Sequence, residues 1–211
     1  SRNINKAIYY YKLAANQNHL KAQHNLAIIY IENKYVPRDI YKAIYYFKMA
    51  ANQNSPLDQY ELGKIYYEGI YIVRDISLAI HYLSLAANQE FNEAQYQLGL
   101  IYYEGKYIIQ DINKALYYFE SAAKQNHPQA LFSLGNIYYE GKYRKQNIEI
   151  AMDCFTRASK LNDLNANYFL GVIYLEGKYR TMNIKKAVHY LTLAAKNNHR
   201  KAQYNLGTIY F

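Results

Sequence analysis

The sequence is poor in cysteine and lacks tryptophan, with one Cys and no Trp among 211 residues. A single thiol cannot form an internal disulfide, so the fold does not depend on an oxidising compartment. Cys154 also stands where the other copies of a repeating unit place tyrosine, as at Tyr118 and Tyr190. This position favours a packed helix residue over a reactive thiol.

Long apolar runs are absent too, because no segment approaches the roughly 20 apolar residues that span a bilayer. No secretory signal peptide appears in residues 1–211 either, although we expect the true N-terminus to lie outside this segment, because Ser1 falls inside a repeat. We therefore expect a cytoplasmic protein with no membrane span in this segment. The chain opens with Ser1 inside one copy of the repeat and closes inside another, so we expect further repeats or a capping helix on each side.

Negative charge is in short supply, since 16 acidic residues face 25 Lys and Arg and the net charge is +9. Such an excess raises nucleic acid and anionic membranes as candidate partners. Tyrosine occurs 28 times. Together with frequent Asn, Ile and Lys, this is typical of AT-rich coding, so the presence of one tyrosine carries little functional weight.

The chain does contain a repeat of 36 residues that runs along its whole length without an insertion or deletion. Each unit of such an array packs on its neighbours, so we interpret residues 1–211 as one repeat domain. Three of the recurring columns are Ala7, Ala43, Ala79, Ala115, Ala151 and Ala187; Leu26, Leu62, Leu98, Leu134, Leu170 and Leu206; and Tyr30, Tyr66, Tyr102, Tyr138, Tyr174 and Tyr210.

The first helical pattern of each unit, helix A, is predicted over about residues 20–31 and their equivalents. Its core face, at i, i+4, i+7 and i+8, is Ala22, Leu26, Ile29 and Tyr30. A glycine such as Gly63 follows the core leucine in most copies, and we expect a neighbouring backbone to press against it. Glycine and asparagine favour a left-handed residue after a helix. The predicted helix ends are Asn33, Gly69, Gly105, Gly141 and Gly177.

The second pattern, helix B, begins in every copy after an Asn or Asp, the side chains that best accept hydrogen bonds from the free amides of a helix start. We interpret this column as helix caps and not as metal ligands. Its members are Asn3, Asp39, Asp75, Asp111, Asn147 and Asn183. Paired alanines such as Ala50 and Ala51 allow helices to approach closely.

These residues resemble the Sel1-like repeat, a branch of the tetratricopeptide class of helical hairpins. The match in one unit consists of Leu98-Gly99, Tyr102, Glu104-Gly105, Asp111, Lys114-Ala115, Tyr118 and Ala122-Ala123, and it recurs along the chain. The resemblance implies an all-α, right-handed α-solenoid of antiparallel helix pairs, with about six 36-residue units cut mid-repeat at both ends. It also implies an adaptor or scaffold, the role of Sel1-like proteins in signalling, protein quality control and host–microbe contact.

One departure from the family recurs in the loop after helix A, where a second glycine is usual. This chain has tyrosine there, at Tyr35, Tyr71, Tyr107, Tyr143 and Tyr179.

The histidines distribute by column and not by cluster. His19, His127 and His199 share the loop before helix A, while His81 and His189 share a position of helix B. None has the close helical spacing that brings two ligands to one ion. No insertion offers a pocket where unlike catalytic groups converge. We therefore predict no metal, no cofactor and no catalysis.

A glutamate near the end of helix A also recurs, where the helix dipole disfavours negative charge. Its copies are Glu32, Glu68, Glu104, Glu140 and Glu176. One interpretation is a hydrogen bond to loop amides or a pairing with the lysines two residues later, Lys34, Lys106, Lys142 and Lys178. The other is a row of carboxylates that reaches toward a bound peptide.

Helix A carries a second, non-core stripe at i, i+4 and i+7, here called the A stripe. By resemblance to tetratricopeptide hairpins it faces the concave groove, where an aromatic row offers large contact area at low entropic cost. The candidate partner-binding residues are Tyr60, Lys64, Tyr67, Tyr96, Leu100, Tyr103, Phe132, Asn136, Tyr139, Tyr168 and Tyr204. The alternative is that these rings only pack between adjacent A helices.

The function predicted is therefore that of a non-catalytic scaffold that binds a protein or peptide in this groove. Nucleic acid is not the expected partner, because the predicted groove wall carries more glutamates than lysines. The lysines are Lys21, Lys64 and Lys201, and the glutamates are Glu32, Glu68, Glu93, Glu104, Glu140 and Glu176. The alternative function is binding of nucleic acid or an anionic surface through a basic outer face formed by loops and B helices.

Overall fold

The structure, a computed structural model, describes residues 3–177 and 181–211. Within these ranges the chain forms twelve α-helices and no strand, which confirms the all-α repeat fold. Lys178 and Tyr179, two predicted loop residues, lie outside the described residues. The helices are α1 Ile4–Asn16, α2 Leu20–Glu32, α3 Ile40–Ala51, α4 Pro56–Glu68, α5 Ile76–Asn88, α6 Asn92–Glu104, α7 Ile112–Lys124, α8 Pro128–Glu140, α9 Ile148–Lys160, α10 Leu164–Glu176, α11 Ile184–Ala195 and α12 Arg200–Tyr210.

The chain consists of two compact units, Ser1–Gln110 and Asp111–Phe211. Each unit contains six helices that alternate between type B (odd numbers) and type A (even numbers). Within a unit, an A helix packs more extensively on the B helix that follows it than on the one that precedes it. The helical hairpin A–B is therefore the basic packing unit of the fold.

The six predicted caps of helix B are confirmed. Each Asn or Asp side chain accepts a hydrogen bond from the backbone amide three residues later, at 2.9 to 3.1 Å. The ends of helix A are confirmed as well, since Asn33, Gly69, Gly105, Gly141 and Gly177 are all left-handed, with φ between 55° and 70°. Both ends of this loop follow from local side-chain and backbone preferences.

The position before helix A is a second row of N-caps. The imidazole Nδ1 atoms of His19, His127 and His199 each accept the amide three residues later, at 3.2 to 3.3 Å. Ser55 and Asp163 do the same in their copies, and only Phe91 in this column makes no side-chain cap. Sequence reasoning placed the histidines in the loop but missed this role, which Ser and Asp in the same column indicate.

The turn from helix B to helix A also needs a left-handed residue. Asparagine fills it in all copies but one, and Glu90 is the exception, at φ 61°. A non-glycine residue at positive φ is strained unless it is Asn or Asp, so Glu90 is the least suited member of the column. The asparagines are Asn18, Asn54, Asn126, Asn162 and Asn198.

The mid-helix glycines of helix A do mark a close approach, but the neighbour is a side chain and not, as predicted, mainly a backbone. A Cβ added at these glycines would lie 2.5 to 2.6 Å from a core side chain of the following B helix. The pairs are Gly63 with Leu83, Gly135 with Phe155, and Gly171 with Leu191. These core side chains are fully buried, so glycine creates the space for the largest residues of the core.

Buried amides connect successive hairpins in the first unit. Gln23 is fully buried, donates to the carbonyl of Ala15 at 3.1 Å and accepts from Gln53 at 2.7 Å. One repeat later the same network recurs, with Gln59 bonded to Ala51 and Gln89. Buried polar groups of this kind are stable only when every donor and acceptor is satisfied, which fixes the register of the packed helices.

Candidate partner-binding surface

In α4 the A stripe consists of Tyr60, Lys64 and Tyr67, and all three side chains are half-buried. The Lys64 ammonium lies 3.4 Å from a carboxylate oxygen of Glu61 and 5.3 Å from the centre of the Tyr60 ring. Burial raises the pKa of the Tyr60 phenol, so this group stays a neutral hydrogen-bond donor at physiological pH. Tyr60 also packs on Phe91, with ring centres 5.3 Å apart.

In α6 the stripe residues Tyr96, Leu100 and Tyr103 are likewise half-buried. The carbonyl of Tyr103 accepts a 2.6 Å hydrogen bond from the Gln110 amide, which ties the end of the helix to its loop. Leu100 stands in the column that holds Lys64 in α4. The middle of the stripe therefore changes from cationic to apolar between these two helices.

In α8 the stripe is part of an aromatic cluster, defined here as Phe132, Tyr139, Phe155 and Phe169. Phe132 lies 5.8 Å from Phe155 and 5.7 Å from Phe169, measured between ring centres. Tyr139 approaches Phe169 to 5.5 Å. Asn136, between the two stripe rings along α8, donates to Glu140 at 2.8 Å.

Phe169 makes this cluster possible, and sequence reasoning missed it. Its column holds polar residues in the other copies: Asn25, Glu61, Gln97, Ser133 and Asn205. The sequence feature that could have revealed this role is that Phe169 is the one aromatic residue in an otherwise polar column.

At the end of the second unit, the Tyr168 ring stacks on His199 with centres 4.6 Å apart. Tyr204 is 75% exposed. The described stripe residues are thus packed on one side in most copies. Partner contact and packing between repeats are the two interpretations of their role, and both stay predictions.

Two of the loop tyrosines that replace the family glycine, Tyr71 and Tyr107, are stacked on arginines of the preceding loop. The Arg38 guanidinium lies 4.2 Å from the Tyr71 ring centre, and Arg74 lies 4.2 Å from that of Tyr107. Each arginine also donates to a carbonyl at the end of its own helix A, at 2.7 and 2.8 Å. The tyrosine therefore links successive loops through cation–π contacts.

The predicted pairing of helix A glutamates with loop lysines is wrong in two copies. Lys34 and Lys106 instead lie 5.0 Å from the ring centres of Tyr35 and Tyr107, and neither forms an ion pair with Glu32 or Glu104. All five glutamates are exposed. A negative charge in water needs no partner, because solvent screens its interaction with the helix dipole.

A charged cluster in the first unit was not recognised from the sequence. The Nδ1 atom of His24 lies 2.8 Å from Oδ1 of Asp58, and Oδ2 of Asp58 accepts a hydrogen bond from the Ser55 hydroxyl. The hydrogen bond to Asp58 raises the pKa of His24, outweighing the opposing effect of burial. The pair joins residues 34 apart in the chain.

Among residues 3–177 and 181–211, no group of three or more His, Cys, Asp or Glu could hold a metal ion. Burial raises the pKa of the Cys154 thiol to about 11, so the thiolate is scarce at neutral pH. In the part of the chain that the structure describes, no helix is both long and apolar enough to cross a membrane.

The Sel1 repeat family model matches the chain in seven consecutive segments: residues 1–19, 20–55, 56–91, 92–127, 128–163, 164–199 and 200–211. No curated protein matches the chain in sequence.

Solved structures with the same fold include a protective antigen of uropathogenic Escherichia coli that displays an SLR fold, with 26% identity and a TM-score of 0.87 over 97% of this chain. A Sel1 repeat protein from Oxalobacter formigenes is 28% identical, with a TM-score of 0.87 over 99% of this chain. The chain spans 44% and 60% of the length of these two proteins. A putative Sel1 repeat protein from Klebsiella pneumoniae, 20% identical with a TM-score of 0.56, shares the fold alone.

Proposed function

Because this chain belongs to the Sel1 repeat family, whose members are generally protein-interaction scaffolds and typically not catalytic, we propose that it binds a protein or peptide partner along the A stripe. The partner-binding residues are those of the stripe in α4, α6, α8 and α10, together with Tyr204.

The observation that carries this proposal is the aromatic cluster around α8. The Phe132 and Tyr139 rings are held by Phe155 and Phe169, yet both remain half-exposed. A ring that is already immobilised loses little conformational entropy when a partner covers its exposed side, so it contributes more net binding free energy than a mobile one. Aromatic side chains held in this way are typical anchors of protein interfaces.

The middle column of the stripe supplies specificity in this proposal. Lys64, Leu100 and Asn136 present a cation, an apolar group and an amide at equivalent positions of three A helices. A partner segment that crosses α4 and α6 in the first unit must therefore match a cation and then an apolar group, and one that contacts α8 in the second unit must match an amide. The basic outer face is a weaker candidate, since Lys42 and Lys114 pair with the cap carboxylates Asp39 and Asp111 at 2.7 and 3.8 Å.

The test is photo-crosslinking with a benzophenone amino acid at position 136, in the A stripe, and at position 117, on the outer face of α7. Tyr117 is 64% exposed and is the matched control. A partner captured from position 136 is then purified and titrated against the Asn136→Arg and Tyr117→Ala variants. We expect at least a tenfold loss of affinity for Asn136→Arg only. Crosslinks from position 117 alone, or equal affinities, would overturn the proposal.

A further inference from the structure

The His24–Asp58 pair interrupts two columns of the repeat at once. Asp58 stands in a column that is otherwise alanine: Ala22, Ala94, Ala130, Ala166 and Ala202. His24 stands in a column of aromatic rings: Tyr60, Tyr96, Phe132, Tyr168 and Tyr204. The two exceptions contact each other at 2.8 Å, so the ionic pair replaces an alanine and an aromatic ring together.

Packing of the helices does not require this pair. The Asp58 side chain is only 2% exposed, and desolvation of a buried carboxylate cancels much of the stabilisation that its partner provides. Replacement of buried ion pairs by apolar residues is often neutral or stabilising. The other copies of the repeat have alanine and an aromatic residue at these two positions and fold in the same way. The pair is therefore not needed for packing, which points to a role beyond stability.

The pair leaves one hydrogen-bond donor available at the surface. Both carboxylate oxygens of Asp58 are occupied, by His24 and by the Ser55 hydroxyl. The second ring nitrogen of His24, Nε2, makes no hydrogen bond to a described residue, and the His24 side chain is 26% exposed. Since Asp58 holds Nδ1, a protonated His24 presents its Nε2–H to solvent.

His24 lines a surface cavity of about 330 Å³. Lys21 and Asn25 also line it, and neither forms an ion pair or a side-chain hydrogen bond with a described residue. Leu20 and Leu57 supply apolar walls. Glu61, the other carboxylate that acts on His24, lies 3.4 Å from the Lys64 ammonium, which offsets its charge. Ser55 and Asp58 line the cavity too, and the Asp58 carboxylate is engaged by His24 and the Ser55 hydroxyl. The groups left to a ligand are therefore the His24 ring, which donates from Nε2 when protonated, the Lys21 ammonium, and the Asn25 amide, which donates through its NH2 group.

We propose that this cavity binds a carboxylate of the partner, an Asp or Glu side chain, between His24, Lys21 and Asn25. The inference rests on the proposed function, since His24 is the α2 member of the column that includes Tyr60 and Phe132, and it gives the partner an acidic residue at this end of the A stripe. Charged hydrogen bonds of this type contribute about 1.5–3 kcal/mol, so loss of the site lowers affinity roughly 10- to 100-fold.

The first experiment uses acetate as the probe and NMR of the labelled imidazole rings as the readout, with the His24 signal assigned by its loss in His24→Gln. Acetate is expected to shift the His24 signal saturably near pH 6, whereas acetamide and chloride at equal ionic strength do not. The shift weakens as pH rises and His24 loses its proton. A linear response to acetate, or saturation by inorganic phosphate in place of acetate, overturns the proposal.

The second experiment uses the double variant His24→Tyr with Asp58→Ala, which installs the residues of the other copies and is therefore expected to fold. The variant should lose the acetate response and bind the purified partner at least tenfold more weakly. If the partner binds this variant normally but loses affinity for Asn136→Arg, the carboxylate site is wrong and the proposed function stands. If Asn136→Arg also binds normally, the proposed function fails.

Discussion

Arg157 donates a hydrogen bond from Nη2 to the backbone carbonyl of Ala123 at 2.7 Å. In four other copies of the repeat, a glutamine of helix A makes the bond to the equivalent carbonyl: Gln23 to Ala15, Gln59 to Ala51, Gln95 to Ala87 and Gln203 to Ala195. In this copy the glutamine is replaced by Leu131. The arginine thus supplies from the following B helix the donor that helix A has lost.

Arg157→Leu is expected to lower the free energy of unfolding by about 1 kcal/mol, because it removes the bond to Ala123 and a longer, exposed bond to Asn126 at 3.3 Å. Leucine is the residue of three other copies in this column, Leu13, Leu85 and Leu193. The loss is limited because the Ala123 carbonyl also accepts the amide of Asn126 at 3.0 Å. Urea denaturation measures it. Adding Leu131→Gln restores the usual donor and should recover most of the loss, whereas an equal or larger loss in the double variant would contradict this compensation.

Glu90→Asn is expected to stabilise the protein. Glu90 adopts φ 61°, where a glutamate is strained and asparagine is tolerated. The gain should be about 0.5–1 kcal/mol, measured as a shift of the urea midpoint. The reverse change at the equivalent position, Asn126→Glu, should cost a similar amount. A neutral result in both directions would show that the left-handed conformation carries no strain here.

Alanine at two equivalent glycines should have opposite effects. At Gly171 a new Cβ would lie 2.6 Å from Cγ of Leu191, so we expect a loss of about 1–3 kcal/mol from overpacking. At Gly207 nothing lies within 4 Å of a new Cβ, and alanine should raise stability by up to about 1 kcal/mol through helix propensity. Thermal unfolding distinguishes the two. Equal effects would mean that the helix contact is not close.

The stability that the His24–Asp58 pair contributes should fall as pH rises. The pKa of His24 is raised above its ordinary value of 6.5, so its contribution is fully present below that value and disappears as pH passes the raised one. Urea midpoints measured from about pH 6 to about pH 8.5 should therefore decline more for the unmodified protein than for His24→Tyr with Asp58→Ala. Parallel curves would show that His24 keeps an ordinary pKa.

The local features of the fold could be predicted from the sequence because they depend on neighbouring residues. A cap side chain such as Asp39 bonds an amide three residues away, and a left-handed glycine such as Gly69 follows from the lack of a Cβ. The 36-residue period then extends each local inference to all copies, including the core columns of helix A. The position of the A stripe on helix A is likewise a matter of helical spacing.

The tertiary structure decided which distant side chains meet, and the candidate site depends on that. Periodicity cannot show that His24 contacts Asp58, that Phe169 joins Phe132, or that Lys34 lies over Tyr35. It also cannot show how deeply each stripe ring is buried, because that depends on the neighbouring repeat. Local hydrogen bonding and hydrophobic period determine the helices and their ends, whereas the packing of one hairpin on the next determines which groups are available to a partner.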